Sequence, residues 1–200
     1  MKHLFSFLFL CILALSPAVS LSGKPVAQHD RVRLDSVQAD FSQEKHLKIL
    51  VRPLISTGRF VFQAPGSLRW EYSTPLRSVL IMHDGKIKKY VEVNGELVEE
   101  RGLRLDAMQV VLGEISGWLE GRFTENASFD VSYKDEHTVV LTPKKEGMRT
   151  FIQSIELGLA DQAGLLNSVT IFEGPDSFTR LLFSNSVLNQ PVADSLFTGP

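Results

Sequence analysis

Ser56-Thr57-Gly58-Arg59-Phe60-Val61-Phe62-Gln63-Ala64-Pro65-Gly66-Ser67-Leu68-Arg69-Trp70-Glu71-Tyr72 decides the fold. Gly58, Phe60 and Phe62 alternate with Thr57, Arg59 and Val61, and Leu68, Trp70 and Tyr72 alternate with Arg69 and Glu71. A period of two is the signature of a strand with one face covered and the other wet. Ala64-Pro65-Gly66 between the two runs is turn punctuation. The stretch therefore reads as a β-hairpin that gathers its aromatic rings on one side.

The same pattern continues outward. Phe129, Val131 and Tyr133 alternate with Ser128, Asp130 and Ser132. Thr74-Pro75, His83-Asp84-Gly85, Asn94-Gly95 and Lys134-Asp135 separate further runs. Asn94-Gly95 between Val93 and Leu97 marks a tight hairpin, because a type I′ turn needs positive φ at both central positions. Strands are expected at roughly 37–47, 55–63, 67–74, 78–83, 86–94, 96–101, 127–134, 137–143, 150–158, 165–173 and 177–184. Short strands joined by tight turns make an antiparallel sheet. By strand parity Arg59 and Arg69 should point to solvent.

One segment breaks the period. Leu105, Met108, Leu112, Ile115 and Leu119 recur at steps of three and four, with Val111 and Trp118 widening the stripe. Asp106 suits the start and Gly121 the end, so an amphipathic helix of about four turns is expected amid the strands. Such a stripe packs on a sheet in any fold, and a single helix across an open sheet can also act as a lid. Residues 21–36 are polar and weakly patterned, with room for one short helix. The tail from Asn189 reads as a loop, with Phe197 tucked onto the body.

The N-terminus has the three parts of an export signal: Lys2 and His3, the apolar run Leu4 to Leu15, and Ala18-Val19-Ser20 at a cleavage site. A run of about a dozen residues is too short to span a bilayer, which needs about 20. The expected division is a cleaved signal, 1–20, and a single exported domain, 21–200. Cys11, the only cysteine, lies within the signal and leaves the mature chain without thiol chemistry or disulfides.

Composition narrows the classes of function. At 44% hydrophobic and 22% charged the chain is globular, and a net charge of −2 with pI ≈ 6.2 gives no general attraction for nucleic acid. There is no nucleophile elbow, phosphate loop, zinc-protease motif or calcium loop. His29, His46, His83 and His137 stand at no metal-ligand spacing. No catalytic residue, metal or cofactor is assigned. Large apolar residues are abundant for a strand-rich chain, and Val79-Leu80-Ile81-Met82 is apolar on both faces. Either the sheet curls and fills itself, or part of its face stays open for an apolar guest, and periodicity alone does not separate the two.

Phe41-Ser42-Gln43-Glu44-Lys45, Gly58-Arg59-Phe60-Val61-Phe62, Pro65-Gly66-Ser67-Leu68-Arg69-Trp70-Glu71-Tyr72, Pro75, Leu80-Ile81 and Asp84-Gly85-Lys86 follow one another in an order that resembles the periplasmic outer-membrane lipoprotein carrier family, LolA. The resemblance covers residues 37–90. It implies a mainly β (α+β) fold, an incomplete, strongly curved antiparallel β-barrel with a helical lid over a hydrophobic cavity. It also implies a non-enzymatic carrier that takes acylated lipoproteins, or another lipid cargo, from an inner-membrane release complex to an outer-membrane receptor, and works as a monomer. On that reading Phe60, Phe62, Leu68, Trp70, Tyr72, Leu105, Met108, Leu112 and Ile115 line the cavity. The family carries an arginine just before the proline of the Pro-x-x-Leu segment, where it helps to hold the lid; here that residue is Ala64. The alternatives are a sensor or adaptor of the same fold and a hydrolase acting on lipid, for which a buried histidine at the cavity mouth, His46 or His83, would speak.

Overall fold

The computed structural model describes residues 34–100, 107–119, 126–162 and 164–200. The export signal and the short helix expected before residue 34 lie outside them. The elements are β1 (Ser36–His46), β2 (Leu54–Gln63), β3 (Ser67–Thr74), β4 (Ser78–His83), β5 (Lys86–Val93), β6 (Glu96–Glu99), α1 (Ala107–Leu119), β7 (Phe129–Tyr133), β8 (Thr138–Pro143), α2 (Glu146–Arg149), β9 (Ser154–Leu159), β10 (Leu166–Gly174) and β11 (Ser177–Leu188), and a 3₁₀ turn spans Asp194–Phe197.

The strands form one antiparallel sheet in the order β6-β5-β4-β3-β2-β1-β11-β10-β9-β8-β7. Neighbours in the sheet are neighbours in the chain, except that β1 pairs with β11, Phe41 opposite Phe183. The sheet does not close, and β6 and β7 are its free edges. This topology places α1. The chain leaves one edge at Glu99 and enters the other at Phe129, so the segment carrying α1 links opposite edges of the sheet.

Local chemistry explains the turns. Asp84 and Gly85 (φ 50° and 70°) and Asn94 and Gly95 (φ 54° and 85°) take the left-handed conformations that a two-residue hairpin requires. Gly58 meets a different demand. A Cβ there would lie 1.9 Å from the Glu71 carbonyl oxygen and 2.7 Å from Phe41 Cζ, so only glycine lets the Phe41 ring cross the strand.

The two faces have separate cores. The inner face joins Val37, Phe41, Phe60, Phe62, Leu68, Trp70 and Leu80 with Leu141, Ile155, Leu157, Val169, Ile171 and Leu181, and Val111, Leu112, Ile115, Trp118 and Leu119 of α1 belong to the same cluster. The outer face has a smaller cluster of Val61, Val79, Ile81, Tyr90 and Phe197. The tail therefore ends in a 3₁₀ turn that seats Phe197 against β3 and β4, as the expected tuck implied.

That cap corrects the expectation for Arg69. Its parity is outward, but it is only 7% exposed. The guanidinium donates to the Leu196 and Gly199 carbonyls at 3.1 and 2.9 Å and to Glu71 Oε2 at 2.9 Å. Arg59, also outward, is exposed and donates to Gln38 Oε1 at 2.8 Å. Outward residues face solvent only where no other part of the chain covers them.

Candidate lipid-binding face

The aromatic rings of the inner face form one connected group. Phe41 lies 4.3 Å from Trp70 between ring centres and meets Tyr72 edge-on at 5.2 Å. Phe60 meets Trp70 at 5.4 Å, and Phe183 on β11 meets both Phe60 and Trp70 at 6.2 Å. Edge-to-face contacts at these distances favour a fixed arrangement over a fluid one. Tyr72 turns its hydroxyl away from the apolar group and donates to Gln43 Oε1 at 2.8 Å.

Beside this group lies a small cleft walled by Val37, Ala39, Phe60, Phe183 and Ser186 of the sheet, Leu165 and Leu166 at the start of β10, and Ile115 and Leu119 of α1. Its void is ≈ 20 Å³, room for a water-sized group and not for an alkyl chain. Around this cleft the described buried residues of α1 belong to the same cluster as the aromatic side chains of the sheet.

The expected cavity residues separate accordingly. Phe60 and Ile115 line the cleft. Phe62, Leu68, Trp70 and Leu112 are buried in the same cluster, and Tyr72 packs half-buried against it. Met108 lies in α1, and Leu105 lies outside the described residues. Val37, Ala39, Leu119, Leu165, Leu166, Phe183 and Ser186 complete the wall without having been singled out for it. For Val37 and Ala39 the signal was present, since they continue the alternation that ends in Phe41. For β11 it was hidden: Asn185 takes φ 53° opposite a shift in register between Gln38 and Asp40, so Phe183 and Ser186, three apart, share a wall.

Two details concern how α1 is held. With Ala64 in place of an arginine, no guanidinium stands at that position. Instead Asn126 Nδ2 donates to Glu114 Oε2 of α1 at 2.9 Å, while Asn126 Oδ1 accepts from the backbone N–H groups of Ser128 and Phe129. The turn that starts β7 is thus tied to the helix by one side chain. Trp70 and Trp118 keep their indole N–H groups buried without a protein acceptor among the described residues.

The histidines stand apart from the cleft. His46 stacks on Phe178 at 4.2 Å with Nε2 3.5 Å from Glu44. His83 stacks on Phe197 on the outer face. Ser67 Oγ lies 2.9 Å from His83 Nδ1, and Asp84 Oδ2 lies 3.6 Å from His83 Nε2. This chain of contacts imitates a catalytic triad, but it sits at an exposed turn away from the apolar cleft, and it reads as a surface network. Among the described residues no group of three His, Cys, Asp or Glu could hold a metal ion, and no helix is long and apolar enough to cross a membrane.

The chain is similar to several known proteins. An "outer-membrane lipoprotein carrier protein" of Nitrosomonas europaea is 27% identical over 165 residues, covering 80% of this chain and 76% of that protein. Among solved structures, a LolA superfamily protein of Nitrosomonas europaea aligns over 86% of this chain and 94% of its own, with TM-score 0.45 and 9% identity. The Pseudomonas aeruginosa MucA/MucB complex aligns over 87% of this chain and 58% of its own, with TM-score 0.36 and 19% identity. The family described as "Outer membrane lipoprotein carrier protein LolA" matches residues 33–199, nearly the whole of the sheet and its connections, and the chain belongs to that family.

Proposed function

We propose that this chain is a periplasmic carrier that shields the acyl chains of lipoproteins, or of a related acylated lipid, between an inner-membrane donor and an outer-membrane receptor. The observation that carries the reading is the family match over residues 33–199. The physics of the inner face supports it. Each buried methylene is worth about 0.8 kcal/mol, so acylated cargo leaves a membrane only for a comparable apolar surface. Here that surface is the aromatic group of β1–β3 and β11 together with the apolar stripe of α1.

This cleft is too small for an alkyl chain, and on this reading α1 lifts from the sheet to admit cargo. The helix is suited to that motion. It shares apolar contacts with the sheet, and the tie between Glu114 and Asn126 is a single hydrogen bond that can be exchanged for water. The energy of opening is returned when acyl chains replace the helix against the same rings. Binding of this kind needs no covalent step.

The test combines two measurements. Native mass spectrometry of the protein purified from periplasm should show co-purified lipid or lipoprotein, and protein that never carries either in repeated preparations overturns the carrier reading. Glu114→Cys/Asn126→Cys, bridged by a short bifunctional thiol reagent, should lose acyl binding at least tenfold, because cargo must displace the helix. The unbridged variant should bind normally. Equal binding by the bridged form would rule out α1 as the moving part.

A further inference from the structure

The end of the sheet that carries the β1–β2 connection is built unlike the rest of the surface. Residues 47–55 read Leu-Lys-Ile-Leu-Val-Arg-Pro-Leu-Ile. Ile49 is 87% exposed and Val51 102%, and Leu50, Leu54 and Ile55 are also exposed. Soluble proteins scatter single apolar side chains over their surface, but a cluster at one projecting tip has a cause. The β3–β4 turn adds to it. Thr57 pairs with Thr74, so Leu76, 80% exposed, lies at the same end of the sheet as Ile55.

The stem beneath the tip is fixed. Leu54 pairs with Lys45, and Lys45 Nζ meets Glu173 Oε1 at 3.3 Å. The Lys48 N–H donates to Ser177 Oγ at 3.3 Å, and its ammonium lies 3.4 Å from Asp176. The Leu50 N–H donates to the Leu47 carbonyl at 2.9 Å, which closes the turn. The apolar residues are thus held outward by an ordered hairpin.

The chemistry of the tip selects its occupant. Its apolar residues are all aliphatic, whereas sites for protein partners concentrate Trp, Tyr and Arg and are poor in Leu and Val. Residues 47–55 contain Lys48 and Arg52 and no carboxylate. Aliphatic groups at a tip, flanked by cations on long stems, match the boundary between acyl chains and phosphate headgroups. We propose that the β1–β2 hairpin is a membrane-docking tip, which inserts Ile49, Leu50 and Val51 into the interface of an anionic phospholipid bilayer while Arg52 meets the headgroups and Lys48 exchanges Asp176 for a lipid phosphate. This surface lies outside the cargo cleft, and the proposal stands whether or not the chain carries lipid.

Vesicle co-sedimentation tests it with the full mature chain. Vesicles of phosphatidylethanolamine with phosphatidylglycerol should bind the protein, and phosphatidylcholine vesicles should bind it less. Ile49→Asp/Val51→Asp should lower binding at least about tenfold, with unchanged thermal unfolding and unchanged co-purified lipid. Val51→Trp should give indole fluorescence quenched by brominated acyl chains. Should the double Asp variant unfold, Ile49→Ser/Val51→Ser replaces it with the same expectation. Three results overturn the proposal: no binding of the unaltered protein to either vesicle, undiminished binding by the folded tip variants, or a self-association that these variants abolish in place of vesicle binding. The last would assign the tip to a second copy of the chain.

Discussion

At the scale of the residue, Gly58 and Glu71 show how much a single position decides. Gly58 lets Phe41 lie over β2, and a methyl group there meets a backbone carbonyl that cannot turn aside. Gly58→Ala should cost about 3 kcal/mol, the upper range for overpacking, read as a lowered denaturant midpoint at constant slope. A change under 0.5 kcal/mol, about what a neutral surface substitution costs, would mean that the strand relaxes freely there. Burial pushes the Glu71 carboxyl up, but hydrogen bonds and charge from Arg69 and Arg77 outweigh it and hold the group below the usual carboxylate range. A carboxylate with a lowered native pKa stabilises above its unfolded value, about 4.3 for Glu, and loses that contribution as pH falls through its native value. Because Arg69 also holds the Leu196 and Gly199 carbonyls, acidification below about pH 4 should loosen the tail. Hydrogen exchange of residues 194–199, corrected for intrinsic rates, should rise there, and Glu71→Gln should flatten the dependence. Equal protection at pH 3 and 7 would contradict it.

At the scale of the element, α1 carries the interest. Asn126→Ala removes its tie and should raise hydrogen exchange across 107–119 while leaving β1 and β2 protected. No change would show that apolar contact alone holds the helix. The helix was legible because Leu112, Ile115 and Leu119 repeat at helical steps, and the β2–β3 hairpin because its rings repeat every second residue. Some features were not legible. The four-residue α2 is shorter than any periodic signal. The tail's cover over Arg69 joins residues more than a hundred positions apart and has no local pattern. How α1 packs on the inner face depends on where it comes to rest, which side-chain periodicity does not report.

At the scale of the whole molecule, the sheet works as a frame whose two free edges, β6 and β7, are linked by the segment that carries α1. Trp70, buried in the middle of the frame, belongs to its packing as much as to any guest. Trp70→Ala should cost about 3–5 kcal/mol, while Ile115→Ala, on the cleft wall, should cost less in stability and more in acyl binding. Thermal unfolding beside lipid co-purification separates the two. Phe60 and Ile115 lie on the cleft wall because the rings and the helix stripe meet there, and Phe183 reaches the same wall from an irregular strand.

The seam between β1 and β11 bears on how the chain is made. Val37 is paired with Leu188, a partner about 150 residues further along. A ribosome or export channel releases the early strand long before the late one exists. Until then one flank of β1 offers bare amide and carbonyl groups to any other extended peptide nearby. Newly made chains should therefore depend on a holding factor, and stopping synthesis short of Ser177 should yield aggregates in place of a smaller folded protein.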